Sequence, residues 1–233
     1  MLPEEYDEID STNDEAKRRV AAALRAGAAE PSPALEALFG TAVAARRQTA
    51  GRGRRGRAFL SPGGHSIYIS YILRPFGKYG NGDLLTLAAA VAVCRAIERV
   101  LPAGPGAPPE AAPRIKWVND VFLGGKKICG ILAEAVSDPG TNRICALVLG
   151  IGVNAGVPPE AFPGELQQTA GSLPLPKEKR AAFMAALSEE VFYYSGLCEG
   201  DPDAVLGAYR ARALDPDAAA QALAQAAPPV SRT

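Results

Sequence analysis

Seven consecutive residues, Gly51-Arg52-Gly53-Arg54-Arg55-Gly56-Arg57, combine four arginines and three glycines with no acid among them. Arginine presents a planar fork of donors that fits carboxylate and phosphate, and glycine lets the backbone approach a ligand closely. The chemistry on offer is capture of an anion by a loop that orders around it. A solvated turn, or a patch that touches nucleic acid through its phosphates, would use the same residues. Three other places break the apolar pattern with polar groups. Ser11-Thr12-Asn13 stands before a helical stretch, where hydroxyls and amides either cap the helix or face a polar ligand at its N-terminus. The stretch from Lys116 to Lys127 carries Asn119 and Asp120. Mg²⁺ is usually held by a carboxylate or two plus substrate phosphates, so Asp120 is either such a ligand or a turn acid, and Lys127 either meets an anion or is solvated. Gly150-Ile151-Gly152-Val153-Asn154 lets the backbone meet a flat ligand with Asn154 at its polar end, without the Rossmann spacing.

Each of these places lies at the end of an expected element, where a rigid scaffold can present variable groups. Thr12 and Glu15 have capping-box spacing and predict a helix whose stripe is Ala16, Val20 and Leu24. Residues 27–40 read as a connector and Thr41 to Ala45 as a short strand. After the arginine-glycine loop, Ser61-Pro62-Gly63-Gly64 predicts a turn, and His65 to Leu73 a strand apolar on both faces and therefore central. Asp83 to Val100 predicts a buried helix, Pro102 to Pro113 a surface loop, and Arg114 to Asp120 a strand containing the only tryptophan. Val121 to Leu123, Gly124-Gly125 and Lys126 to Val136 read as a hairpin, and Arg143 to Leu149 as a strand leading into the Gly-x-Gly segment. An amphipathic helix from Lys177 to Tyr194, with Phe183, Leu187, Val191 and Tyr194 on one face, and a short helix from Ala204 to Leu214 follow. Asp215 to Thr233 reads as a weakly ordered tail. The order of elements predicts an α/β domain on a mixed sheet with packed helices.

Composition narrows the function. A chain of 233 residues, 48% of them hydrophobic, can bury one substantial core. Lys+Arg and Asp+Glu are both 25, so the positive charge of the loop is local and the chain lacks the basic excess of a dedicated nucleic-acid binder. Cys94, Cys129, Cys145 and Cys198 form no CxxC pair, and His65 is the only histidine. A zinc site has little to draw on, and the cysteines are expected reduced and buried. Ser66 beside His65 lacks a nucleophile elbow, which speaks against a serine hydrolase. The acidic start has no signal-peptide pattern, and Leu84 to Ile97 is shorter than the roughly 20 apolar residues of a membrane span. A soluble, cytoplasmic protein is expected, with no membrane partner.

Taken together and in order, Ser-Thr-Asn before a helix, Gln-Thr-x-Gly-Arg-Gly-Arg-x-Gly-Arg, Lys-Trp-x-Asn-Asp, Lys-x-x-Gly-Ile-Leu and Gly-x-Gly-x-Asn resemble the catalytic domain of the biotin protein ligases, the biotin-[acetyl-CoA-carboxylase] ligases. The likeness runs from about Ser11 to Asn154, with weaker continuation to about Gly200. It implies a class II aminoacyl-tRNA synthetase-like α+β fold. It also implies a two-step reaction in which biotin and ATP, with Mg²⁺, give biotinyl-5′-AMP, and a lysine of a biotin carboxyl carrier protein takes the biotinyl group. The pattern assigns Ser11, Thr12, Asn13, Gln48, Gly51, Arg52, Gly53, Arg54 and Lys127 to biotin. It assigns Arg54, Lys116, Asn119 and Asn154 to the nucleotide, Arg54, Lys127 and Asp120 to catalysis, and Asp120 to Mg²⁺. Arg55 and Arg57 are left as solvated charge. Val118 stands where the family usually has proline, and Phe59 where it often has tryptophan. The resemblance further implies a catalytic domain over residues 1–200. Residues 201–233 are expected as a short helix and alanine-rich tail, without the usual C-terminal β domain, and the whole as a monofunctional ligase that does not bind DNA and is open to homodimerisation. Its competitors are a lipoate protein ligase or octanoyltransferase of the same fold, an RNA-binding module, and a biotin-binding remnant with weak ligase activity.

Overall fold

The computed structural model describes residues 3–26, 32–60, 66–76 and 82–217. Among them, β1 (Glu4–Ile9), β2 (Ala42–Gln48), β3 (Ile67–Leu73), β4 (Arg114–Lys116), β5 (Asp120–Leu123), β6 (Lys126–Ser137) and β7 (Ile144–Val153) form one sheet. The strand order is β1-β2-β3-β7-β6-β5-β4. β1 runs parallel to β2 and the other pairings are antiparallel, so the sheet is mixed as expected. β3 lies between β2 and β7 and is buried along its whole length.

Among the described residues five α-helices cover the sheet: α1 (Thr12–Ala26), α2 (Pro33–Glu36), α3 (Gly82–Val100), α4 (Arg180–Gly200) and α5 (Pro202–Arg210). Successive strand residues point to opposite faces, and the two faces have separate cores. Ile67, Ile69, Leu147, Leu149 and Ile151 pack with α3, α4 and α5. Ile72, Ala146 and Val148 pack with Ala16 and Val20 of α1 and Leu35 of α2. α3 is apolar nearly all round because the sheet covers one side of it and α4 and α5 cover another. The expected face of α4, Phe183, Leu187, Val191 and Tyr194, is buried.

Several expectations change. The acidic start forms the edge strand β1, which alternation of apolar residues does not announce. Its carboxylates pair with arginines of other elements, Glu4 with Arg19, Glu8 with Arg47 and Glu5 with Arg180. The strand predicted from Arg114 to Asp120 stops at Lys116. Residues 117–119 form a turn, and Asp120 begins the next strand. The strand after Arg143 does not end before the glycines but runs through Gly150 and Gly152 to Val153. The connector holds the short helix α2, capped by Ser32. The core does not end at residue 200: Val205, Tyr209 and Ala213 belong to it, and Ala213 bridges to Ile115 beside β4. Cys94, Cys129 and Cys198 are buried and free, whereas Cys145 is only half-buried. The Ser61–Gly64 turn, His65, residues 27–31 of the connector and residues 218–233 of the tail lie outside the described residues.

Candidate active site

The N-terminus of α1 forms one wall. Ser11 is the cap: its Oγ accepts from the Asp14 N–H at 3.4 Å, and its carbonyl accepts from the Glu15 N–H at 3.0 Å. The helix therefore starts one residue before the predicted Thr12/Glu15 box, and the Glu15 carboxylate binds Arg18 and Arg19. Thr12 and Asn13 are left to turn inward. The Thr12 N–H and hydroxyl donate to Gln48 Oε1 at 2.8 and 3.1 Å. Ser70 Oγ lies 2.8 Å from Thr12 Oγ1 and 2.6 Å from Asn13 Oδ1, and Asn13 Nδ2 donates to Glu134 at 2.7 Å. Ser11, Thr12, Asn13 and Ser70 are all buried. Asn13 lies so close to β7 that a Cβ on Gly150 would stand 2.1 Å from its Oδ1.

The arginine-glycine loop forms the cover, and it closes on itself. Arg52 bridges to Ala58, the Gly53 N–H donates to the Arg57 carbonyl at 2.7 Å, and the Phe59 N–H donates to the Gly51 carbonyl at 2.9 Å. A 3₁₀ turn over Arg54–Gly56 reverses the chain. This hairpin delivers the Phe59 ring onto Gly130 of β6 and Gly152 of β7, which face each other in register. A Cβ at either glycine would come within 2.7 Å of the ring. Tyr68, opposite Gly152 on β3, meets Phe59 edge-on at 6.3 Å between centroids. The Arg52 guanidinium donates to Asp14 and lies 3.5 Å from Glu134. Arg54 is exposed and forms no ion pair with the described residues.

The β5–β6 hairpin forms the far wall. Gly124 and Gly125 have φ of 57° and 76°, the left-handed geometry that a tight two-residue turn demands. Lys127 stands just beyond the turn with its Nζ 2.7 Å from Asp120 Oδ1. Its backbone is fixed on the other side by the 169–171 segment: the Lys127 N–H donates to the Thr169 carbonyl at 2.9 Å, and the Gly171 N–H donates to the Lys127 carbonyl at 2.8 Å. Asn119 holds the 117–119 turn against β6, donating from Nδ2 to the Ile131 carbonyl at 2.9 Å. Trp117 is 42% exposed and stacks edge-on with Tyr209.

These walls enclose a cavity of about 840 Å³. Ser11, Thr12, Asn13 and Gln48 border it on one side, Arg52, Gly53 and Arg54 above, and Asn119, Asp120 and Lys127 opposite. Gly51 sits behind this lining, close to the Phe59 carbonyl and the Gln48 amide. Two expected residues lie elsewhere. Lys116 points away on short β4, its ammonium 5.6 Å from the Phe122 ring centroid. Asn154 is buried past the end of β7, where its N–H donates to the Ile128 carbonyl at 2.8 Å and its Nδ2 to the Gly171 carbonyl at 3.1 Å. That amide fastens the segment which holds Lys127 and does not border the cavity.

The site also contains residues to which the sequence reading assigns no role, some of them inside the motifs. Phe59, Tyr68, Gly130, Trp117 and Asp83, at the start of α3, border the cavity, and Glu134 stands behind Asn13. Gly152 is visible in the sequence in the Gly-x-Gly segment and Gly130 in Lys-x-x-Gly-Ile-Leu, but Glu134 reads there only as a polar residue in a hairpin. Burial would raise its pKa, yet hydrogen bonds from Asn13 and Lys17 and the charges of Lys17 and Arg52 outweigh that and hold it below the usual carboxylate range. Among the described residues no group of three or more His, Cys, Asp or Glu could hold a metal ion. Asp120, the one expected Mg²⁺ ligand, already has an ammonium on its carboxylate, so the residues do not fit a resident metal. A metal entering with substrate phosphates needs no such cage.

Chemically, the cavity offers a glycine floor under an aromatic ring, a polar wall at α1, a cationic cover and a lysine opposite it. A molecule with a flat body and an anionic end fits that distribution. The family model described as Biotin/lipoate A/B protein ligase family matches residues 33–154. Over 137 residues the chain is 42% identical to the bifunctional ligase/repressor BirA of Bacillus subtilis, covering 58% of this chain and 38% of that protein. Over 126 residues it is 42% identical to a biotin--[acetyl-CoA-carboxylase] ligase of Paracoccus denitrificans, covering 53% of this chain and 48% of that protein. The matches thus span less than half the length of these relatives. The fold is that of the biotin protein ligase of Aquifex aeolicus in complex with biotin and ATP, with a TM-score of 0.66 at 24% identity over 90% of this chain and 77% of that one. It is equally that of the Leishmania major biotin protein ligase in complex with biotinyl-5-AMP, with a TM-score of 0.62 at 24% identity over 91% of this chain and 82% of that one.

Proposed function

The chain belongs to the biotin/lipoate A/B protein ligase family, and on that premise we propose that it is an ATP-dependent biotin protein ligase. In the first step a biotin carboxylate oxygen attacks the α-phosphorus of Mg-ATP. The new O–P bond gives biotinyl-5′-AMP, and the bond to the bridging oxygen breaks to release pyrophosphate. In the second, the amine of an acceptor lysine attacks the acyl carbon, and AMP leaves with the electron pair of the acyl–oxygen bond. The observation that carries this reading is the convergence of Arg52, Arg54 and Lys127 on one cavity above a glycine floor. Two anions must meet in the first step, and preorganised cations at the point of meeting lower its barrier.

Within this reading Ser11, Thr12, Asn13 and Gln48 form the biotin wall, and Arg52 and Gly53 cover it. Lys127 exchanges its Asp120 partner for the biotin carboxylate. Arg54, with no protein counter-ion among the described residues, is free for the α-phosphate, and Asn119 borders the nucleotide. Lys116, on β4, and Asn154, which fastens the 169–171 segment behind Lys127, have no direct contact with substrate in this reading. Biotin-named relatives and a structural neighbour whose complex holds biotin and ATP support biotin over lipoate as the acid.

The acceptor in this proposal is a biotin carboxyl carrier protein, the compartment is the cytoplasm, and no DNA is bound. The relatives named ligase/repressor make the last clause one to test by mobility shift on operator-like DNA. No helix among the described residues is long and apolar enough to cross a membrane. The deciding experiment supplies biotin, Mg-ATP and a carrier domain, and follows pyrophosphate release and biotin transfer, with lipoate as the competing acid. Biotin-dependent pyrophosphate release and labelled carrier are expected. Lipoate-dependent release without a biotin signal would reverse the substrate assignment, and no release with either acid would refute the ligase reading.

A further inference from the structure

We propose that Asp14 on α1 and Glu134 on β6 are positioning residues that latch the arginine-glycine loop over the cavity by holding Arg52. The purpose of such a latch, retaining a bound molecule, rests on the ligase reading; its existence does not. Arg52 donates to Asp14 and lies 3.5 Å from Glu134. Behind it Lys17 ties the same two acids together, at 3.3 Å from Asp14 and 2.9 Å from Glu134. Glu134 also accepts from Asn13, so one carboxylate joins the pocket wall to the cover. Within the loop the backbone contacts of Arg52, Gly53 and Phe59 are to the loop's own residues, 51, 57 and 58. They shape the hairpin but do not fasten it to the sheet. The Phe59 ring rests on Gly130 and Gly152, and the Arg52 ion pairs supply the directional attachment.

The attachment is partly shielded from water. The side chains of Asp14 and Glu134 are 31% and 25% exposed and that of Arg52 41%, so the pairs remain open to screening by salt. A network of this kind holds a segment more firmly than an isolated surface pair, and releasing it raises the population of the open loop.

Trypsin reads that population directly, because the loop offers cleavage sites at Arg52, Arg54, Arg55 and Arg57. In the ligand-free protein, cleavage within the loop is expected to run about five- to tenfold faster in an Asp14→Asn/Glu134→Gln variant than in the wild type. Asp14→Glu alone, which keeps the charge, is expected to be cleaved at the wild-type rate, an outcome that general intolerance of change at this position would not give. Salt at about 1 M is expected to accelerate cleavage of the wild type and leave the double variant unchanged, after correction for trypsin activity on a small substrate. Equal cleavage rates in wild type and variant overturn the proposal. If the double variant does not fold, the salt dependence of the wild type decides, and a salt-independent rate overturns it. No biotin or ATP enters this assay, so its failure leaves the ligase reading standing, and a failed ligase assay leaves the latch standing.

Discussion

Gly150→Ala tests the packing of the pocket wall against the sheet. The added methyl would stand 2.1 Å from Asn13 Oδ1, 2.9 Å from its Cγ and 3.1 Å from its Nδ2. Asn13 cannot step aside cheaply. Its Oδ1 lies 2.6 Å from Ser70 Oγ, its Nδ2 donates to Glu134 at 2.7 Å, and its backbone is in the first turn of α1. Overpacking a fixed site costs about 1–3 kcal/mol. Displacing the amide also forfeits a neutral hydrogen bond worth roughly 0.5–1.5 kcal/mol and a charge-assisted one worth roughly 1.5–3 kcal/mol, partly recovered from water. A net loss of about 2–4 kcal/mol follows, which in a domain of this size lowers the melting midpoint by roughly 5–15 °C.

The assay is a double-mutant cycle by thermal or urea unfolding on wild type, Gly150→Ala, Asn13→Ala and the double variant. If the Asn13 carboxamide is what the methyl strikes, removing it first leaves room. Gly150→Ala should then add less than about 0.5 kcal/mol in the Asn13→Ala background. Additive losses would show that the methyl is resisted by something else, and would refute the account of why this strand carries glycine there.

On the proposed ligase reading, Lys127→Gln should slow adenylate formation about ten- to a few hundredfold, the cost of one charge-assisted contact made in the transition state, with little change in melting temperature; wild-type pyrophosphate release would count against it. Arg54→Gly should weaken retention of the adenylate and label bystander proteins with biotin, and unchanged bystander labelling alongside normal adenylate formation would sink that role. At the start of the chain, hydrogen bonds from Arg18 bring the Asp10 carboxyl down to about 2. A depressed folded-state pKa gives stability that is full above the ordinary value of 3.8 and fades as pH falls toward 2, so Asp10→Asn should flatten that acid limb of an unfolding curve. The pair is exposed, so the change should stay under about 1 kcal/mol, and an acid limb identical to wild type would exclude the pair as its source.

Much of this arrangement was legible in the sequence because it is written in local pattern. The two-sided apolar run of β3, the all-round apolar α3 and the Gly-Gly hairpin each follow from periodicity or turn chemistry within about a dozen residues. The same holds for the polar breaks at Ser11–Asn13, Arg52–Arg54 and Lys127, which border the cavity. What was not legible depends on partners far along the chain. β1 looks like an acidic lead-in until Arg19, Arg47 and Arg180 arrive from other elements. Asn154 ends a Gly-x-Gly-x-Asn motif that suggests a ligand contact, yet Gly171 takes its amide. Glu134 carries no sequence signal at all, since its role exists only once β6 passes beside α1.

The loop shows the same division at the level of charge. Read alone, residues 51–57 are a bare cationic run, the property that made a nucleic-acid patch a fair rival. In the fold, acids from three other elements meet two of the site's cations: Asp14 of α1 and Glu134 of β6 take Arg52, and Asp120 of β5 takes Lys127. Arg52 and Lys127 are therefore already partnered, while Arg54 has no counter-ion among the described residues. An anion that binds Arg52 or Lys127 must exchange places with carboxylates already in position, and only one that also fills the space over Gly130 and Gly152 recovers that cost through burial. Simple anions and nucleic-acid backbones lack the flat apolar body, whereas an acid carrying its own ring system has it. Selectivity on this view comes from the acids that the loop's sequence omits and the fold supplies.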